Sequence, residues 1–137
     1  MKDLSKLMRI EILIILLFVF FKFIRKPIIQ GNYPDYLKTF LFSFPNLCEA
    51  IIGTFTLTAI GLILNKKWRK PASQLKEQTI YLLAVILAGI YVITQEFKLH
   101  NLGGKNIYDP MDVLFSIIGL IIAYVWIIRI SPKYKER

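Results

Sequence analysis

The amino-acid sequence predicts an all-α fold: a polytopic membrane protein in which one domain forms a bundle of four transmembrane helices. The chain has 137 residues, of which 55% are hydrophobic, and its mean hydropathy is +0.53. The apolar residues are concentrated in four blocks, at about 8–24, 40–64, 79–97 and 111–130. As an α-helix, each block is long enough to cross a hydrocarbon core about 30 Å thick.

The first block tests two alternatives to a transmembrane helix: a helix of a soluble bundle and a cleaved secretory signal. A soluble helix needs a polar face, and residues 10–21 offer only Glu11. Basic residues precede this block, as in a signal peptide, but no pair of small residues follows it for cleavage. The block therefore predicts an uncleaved membrane helix. The single cysteine, Cys48, excludes an intrachain disulfide.

The basic residues predict the orientation in the membrane. Short connections at 25–39, 65–78 and 98–110 place both termini and the middle connection on one side. That side holds twelve of the 18 basic residues: Lys2, Lys6, Arg9, Lys66, Lys67, Arg69, Lys70, Lys76, Arg129, Lys133, Lys135 and Arg137. The positive-inside rule then predicts cytoplasmic termini. Basic flanks also account for the net charge of +9 without a nucleic-acid partner.

Polar residues of three predicted helices fall at one depth, towards the outer face. The helix pattern gives three stripes that end in polar groups and contain small residues: Asn46, Glu49, Gly53 and Thr56; Val85, Gly89, Val92 and Glu96, with Gln95 adjacent; and Asp112, Ser116, Gly119 and Ala123. Small residues let membrane helices approach closely, so we expect these stripes to face the bundle interior. The candidate ligand-binding residues are Asn46, Glu49, Gln95, Glu96, Asp112 and Ser116.

Two carboxylates stand at the start of the fourth helix. Asp109 as N-cap residue, with Pro110 at the first helical position, would satisfy a free amide and begin the helix. Asp112 at the third position would suit the helix dipole and could also point into the bundle. We therefore interpret Asp109 and Pro110 as a helix cap and Asp112 as part of the pocket.

The run from Asp109 to Gly119, DPMDVLFSIIG, with Gln95-Glu96-Phe97 upstream, resembles the C-terminal signature of the VanZ-like family. The family pattern enters the last helix as D-x-x-D-x-x-x-N-x-x-G. Asp109, Asp112 and Gly119 match it, and Ser116 stands where the family usually has Asn. The resemblance implies a small multi-helix protein of the bacterial cytoplasmic membrane. The family's name comes from a protein linked to teicoplanin resistance, which implies a role in the cell envelope.

Three function classes follow from these residues. The first is an envelope protein whose outer polar pocket binds a lipid or cell-wall headgroup. The second is a non-catalytic accessory subunit that packs against larger membrane-protein partners. The third, an ion pathway, is disfavoured because the inner halves of the third and fourth helices carry no ionisable residue.

The sequence indicates no catalytic residue and no cofactor, since phosphate loops and metalloprotease motifs are missing. Enzymatic activity and a divalent cation on Glu49, Glu96 and Asp112 stay open as weaker alternatives.

Overall fold

The structure, a computed structural model, describes residues 2–97 and 109–134, and within these ranges it contains helices and no strand. The helices are α1 Lys2–Gln30, α2 Asp35–Trp68, α3 Glu77–Glu96 and α4 Pro110–Ile130, with a short 3₁₀ turn at Pro71–Ser73. The all-α prediction is confirmed for this part of the chain. The predicted connection at 98–110, apart from its last two residues, lies outside the described residues, as do Lys135 and Arg137.

The first two helices extend beyond their apolar blocks. Because α1 continues to Gln30 and α2 begins at Asp35, the predicted connection at 25–39 shrinks to residues 31–34. At its other end α2 continues to Trp68, beyond the predicted end at residue 64. Apolar composition marks only the part of a helix that suits hydrocarbon, whereas backbone hydrogen bonds continue into the polar flanks.

Three of the helices, α2, α3 and α4, are long and apolar enough to cross a membrane. Their outward surfaces fit that setting, because large apolar side chains such as Leu87, Ile90 and Ile121 are more than half exposed. The α1 helix differs because Arg9, Glu11 and Lys22 bracket its apolar centre. The helices thus indicate a membrane protein with three candidate spans.

The α2 helix is the centre of the bundle and packs against each of the other three helices. It runs parallel to α4, since Phe40 meets Phe115 near the start of both helices and Phe55 meets Trp126 further along. It runs antiparallel to α1 and α3. One end of the bundle, here called the groove end, therefore holds the starts of α2 and α4 and the ends of α1 and α3.

The closest helix contact joins α2 and α4 at Gly119. A Cβ atom built on Gly119 would lie 2.5 Å from the Leu47 carbonyl oxygen and 3.0 Å from the Ala50 Cβ atom. No side chain fits in that space unless the helices separate. Gly119 therefore brings the start of α4, which carries Asp112, close against α2.

The packed core lies mostly away from the groove end. Its main buried cluster comes from all four helices and contains Leu4, Leu7, Ile51, Phe55, Leu62, Ile80, Tyr81, Ala123 and Ile127. Beyond this cluster, the Asn65 side chain makes two hydrogen bonds to the Leu75 backbone, at 3.0 and 2.9 Å. The Tyr81 hydroxyl donates to the Pro132 carbonyl at 2.7 Å. These bonds anchor the α2–α3 connection and the residues that follow α4.

Candidate functional site

A cavity of about 650 Å³ opens at the groove end of the bundle. We call it the charged groove, because seven charged residues line it: Lys22, Arg25, Lys38, Glu49, Glu96, Asp109 and Asp112. The amides of Asn46 and Gln95 also line it, as do the apolar residues Ile29, Phe42 and Pro45. Its volume lies within the range of small-molecule sites, about 300–1,000 Å³. All four helices contribute to this one cavity.

Most of the candidate residues meet in the groove. Asn46, Glu49, Gln95, Glu96 and Asp112 all line it. Ser116 does not belong to the lining; it is only 1% exposed and lies one helical turn beyond Asp112, within the helix packing. We therefore remove Ser116 from the candidate site.

The stripes of α4 and α3 largely have the predicted inward orientation. On α4, Asp112, Ser116, Gly119 and Ala123 are all buried. On α3, Gly89 and Val92 are buried, whereas Val85 is partly exposed. The close approach of α4 at Gly119 explains why its stripe is the most deeply buried.

The expected orientation of the α2 stripe is wrong. None of its four residues is buried, and Thr56 is exposed. The Thr56 hydroxyl donates a hydrogen bond to the Glu11 carboxylate of α1, and a Cβ atom built on Gly53 would lie 4.0 Å from the Ala88 Cβ atom of α3. The α2 helix is in contact on three sides, so its buried residues do not form one stripe, and this stripe lies between α1 and α3. The end of that face is where Asn46 and Glu49 line the groove.

Glu49 carries its charge on the α2 wall of the groove. The Lys22 ammonium of α1 lies 3.9 Å from the Glu49 carboxylate and 4.4 Å from the centre of the Phe18 ring. Both charged side chains are partly exposed, so their attraction contributes little to stability in a solvated groove. The pair does, however, place the positive charge of α1 next to the Glu49 carboxylate of α2.

Asp109 and Asp112 have different environments. Asp109 is the N-cap residue of α4, and its carboxylate accepts a hydrogen bond from the Met111 amide at 2.9 Å. Pro110 follows at the first helical position, where its missing N–H costs nothing. Asp112 is only 6% exposed, and its Oδ1 atom is buried with no hydrogen-bond partner among residues 2–97 and 109–134. One carboxylate thus caps the helix, and the other lies across the bundle beside the Ser43 hydroxyl and the Asn46 amide.

Sequence reasoning missed the basic side of the groove. The sequence pattern places Lys22, Arg25 and Lys38 on the side with fewer basic residues and gives them no part in the pocket, yet all three line the cavity. The Arg25 guanidinium lies over the Phe42 ring at 5.3 Å, and Lys38 stands one turn before Phe42 on α2. One signal was present in the sequence. Lys22 and Arg25 are three residues apart on one helix, at the end where the acidic residues of the other helices gather.

Comparisons with known proteins identify no relative of this chain. No protein-family model matches the chain, and no curated protein or solved structure matches it. The VanZ-like resemblance therefore stays a prediction. Within the described ranges, no group of three histidine, cysteine or acidic residues is arranged to hold a metal ion.

Proposed function

We propose that this chain is a small VanZ-like protein of the bacterial cytoplasmic membrane and that its charged groove binds a lipid or cell-wall headgroup. The observation that carries the proposal is the groove: seven charged side chains line one open cavity, at one end of a bundle whose helices expose many large apolar side chains between their ends. Charges beside hydrocarbon are costly unless a function or a partner retains them. Headgroups are the charged ligands found at that depth.

The packing of α1 supports a four-span arrangement. Glu11 hydrogen-bonds Thr56 and Lys22 contacts Glu49, so α1 follows α2 in the antiparallel direction over most of its length. If α2 spans the bilayer, α1 lies at the same depth beside it. The charges near its ends can reach the interfaces by extending along the helix.

The distribution of charge supports cytoplasmic termini. Lys22 and Arg25 oppose the positive-inside pattern, because they lie on the side with fewer basic residues. Their place in the groove gives them a separate reason to be there, since they face the carboxylates of α2 and α4. The remaining bias then favours an outward-facing groove, open to the outer leaflet and the cell wall.

The test compares lipids and envelope precursors that co-purify with the protein. Wild type is compared with the triple variant Arg25→Gln, Lys38→Gln, Glu96→Gln. The control changes the same kinds of residue around the second cavity, at the other end of the bundle: Lys66→Gln, Lys76→Gln, Glu77→Gln. We expect mass spectrometry to find one headgroup class depleted only in the groove variant. Equal lipid profiles in all three proteins would overturn the proposal.

The uncovered surface of α1 favours a second candidate, an accessory subunit. This helix packs mainly on α2, and Leu13, Leu16 and Phe23 are 63%, 61% and 76% exposed. A larger membrane protein could cover this face. If the protein is an accessory subunit, crosslinking from a photoreactive residue at position 16 would yield a discrete protein adduct. If it only binds headgroups, the same experiment would yield lipid adducts alone.

A further inference from the structure

The charges of the groove are sorted by helix. Lys22 and Arg25 of α1, with Lys38 from the start of α2, form what we call the basic wall. Glu96 at the end of α3 and Asp112 at the start of α4 form the acidic wall. Between them lie Asn46 and Glu49 of α2. The cavity is therefore dipolar, with cations on one side and carboxylates on the other.

The two walls are only partly neutralised by each other. Lys22 is paired with Glu49, and Asp109 is engaged as the α4 cap. Two cations, Arg25 and Lys38, and two carboxylates, Glu96 and Asp112, form no ion pair within 4.0 Å in the described part of the chain. Arg25 is near enough for its charge to act on Asp112, yet it lies beyond ion-pair distance. Among the described residues, each wall thus carries charge that no ion pair neutralises.

The Asp112 carboxylate of the acidic wall has two neighbouring donors, the Ser43 hydroxyl and the Asn46 amide. Asp112 is more than nine-tenths buried and lines the cavity, and its Oδ1 atom has no partner in the described residues. The Ser43 hydroxyl is also buried and makes no hydrogen bond of normal geometry, although it lies close enough to this carboxylate to donate to it. A buried carboxylate oxygen without a donor is strongly unfavourable. A primary ammonium group, with three N–H donors and a positive charge, would neutralise the carboxylates of the acidic wall and donate to their accessible oxygens.

We infer that the groove binds a zwitterionic headgroup that carries a phosphodiester and a primary amine, as in phosphatidylethanolamine. The phosphate lies against Arg25 and Lys38, since the guanidinium fork suits phosphate oxygens. The ammonium lies against Asp112 and Glu96. This inference rests on the proposed function, because it specifies the chemistry of the headgroup in that same groove. Ile29, Phe42 and Pro45 supply apolar lining beside the charges.

The test measures binding of lipids with identical acyl chains by native mass spectrometry of the full-length protein. Phosphatidylethanolamine is compared with phosphatidylcholine, whose ammonium has no N–H donor, and with phosphatidylglycerol, which has no ammonium. We expect phosphatidylethanolamine to bind about tenfold more tightly than either, the effect of one charged hydrogen bond. Phosphatidylglycerol binding as tight as phosphatidylethanolamine would overturn the inference.

Variants assign each part of the headgroup to a wall. Asp112→Asn and, separately, Glu96→Gln should remove the preference for phosphatidylethanolamine over phosphatidylcholine. Arg25→Gln should instead weaken binding of all three lipids, which share the phosphate. The controls Glu77→Gln and Lys133→Gln each break the 3.7 Å ion pair at the opposite end of the bundle. They should leave the affinity for all three lipids unchanged. A preference that survives in both acidic-wall variants would overturn the inference.

Two further outcomes separate the inference from the proposed function. If the groove variants weaken every lipid equally and wild type shows no amine preference, the zwitterion inference fails while headgroup binding stands. If no groove variant changes lipid binding, both fail. Soluble glycerophosphoethanolamine provides the last arm. We expect it to bind far more weakly than the lipid, and equal binding would identify a soluble zwitterion instead.

Discussion

Asp109 and Asp112 lie within one turn of α4, yet their oxygens make different contacts. The Asp109 carboxylate accepts from the Met111 amide, which the helix itself leaves without a partner. The buried Oδ1 atom of Asp112 has no such donor in the described residues. The two aspartates therefore differ in role, because Asp109 contacts the backbone of its own helix whereas Asp112 lies near side chains of α2.

The capping role of Asp109 can be measured separately. Asp109→Ser retains an oxygen that can accept from the amide, so we expect a loss of unfolding free energy within about 1 kcal/mol. Asp109→Ala removes the oxygen and should cost about 0.5–2 kcal/mol. Denaturation in mixed micelles would measure both. Equal losses in the two variants would show that the carboxylate does not act as a cap.

Asn65 is a second residue whose side chain determines local structure. It both donates to and accepts from the Leu75 backbone, so Asn65→Ala leaves two backbone groups without their partner. We expect a loss of about 1–2 kcal/mol, limited by the partial exposure of the site. Gln78→Ala is the control, since Gln78 is exposed and lines, together with Asn65, the second cavity at the end opposite the groove. The same denaturation assay measures the difference, and equal stability of the two variants would contradict it.

At the scale of the helices, the α2–α4 contact positions the acidic wall. Because α4 lies against the α2 backbone at Gly119, its first turn is held beside Ser43 and Asn46. The α1 helix carries two of the three residues of the basic wall and packs mainly on α2. Both walls are therefore positioned by contacts with α2, which packs against α1, α3 and α4.

Replacement of Gly119 tests this contact. Gly119→Ala places a methyl group against the Leu47 carbonyl, so we expect a loss of about 1–3 kcal/mol and weaker lipid binding as α4 moves. Gly53→Ala is the matched control, because its added Cβ would meet nothing closer than Ala88 at 4.0 Å. That control should be neutral or slightly stabilising, by up to about 1 kcal/mol. A Gly119→Ala protein as stable as wild type would contradict the packing described here.

The helices themselves could be predicted from the sequence, because hydrophobic length is a local property of the chain. The predicted blocks fall within the observed helices to within a residue, and the stripe of α4 is buried as expected. Sequence reasoning failed where several helices act together. The face of α2 depends on which neighbours cover it, and Lys38 is a groove residue because the ends of the other three helices meet beside the start of α2. Contacts between different helices leave no periodic pattern in the sequence of any one helix, so they could not be predicted from it.

At the scale of the whole molecule, the open question is the orientation of the bundle. Asn32, between α1 and α2, and Ala72, between α2 and α3, are both exposed and lie at opposite ends. In a Cys48→Ala background, we expect Asn32→Cys to react with an impermeant maleimide in intact cells. Ala72→Cys should react only after permeabilisation, because the positive-inside bias places it in the cytoplasm. The reverse pattern would contradict the proposed orientation.

The Lys22–Glu49 pair has a consequence for how the protein enters the membrane. Translation produces α1 before α2, so the ammonium that lies near Glu49 is already synthesised when that carboxylate emerges. Glu11 and Thr56 are ordered along the chain in the same way. A hairpin of α1 and α2 can therefore insert with its polar side chains already engaged, before α3 and α4 exist. The acidic wall of the groove is completed only when the last helix brings Asp112 near Glu96.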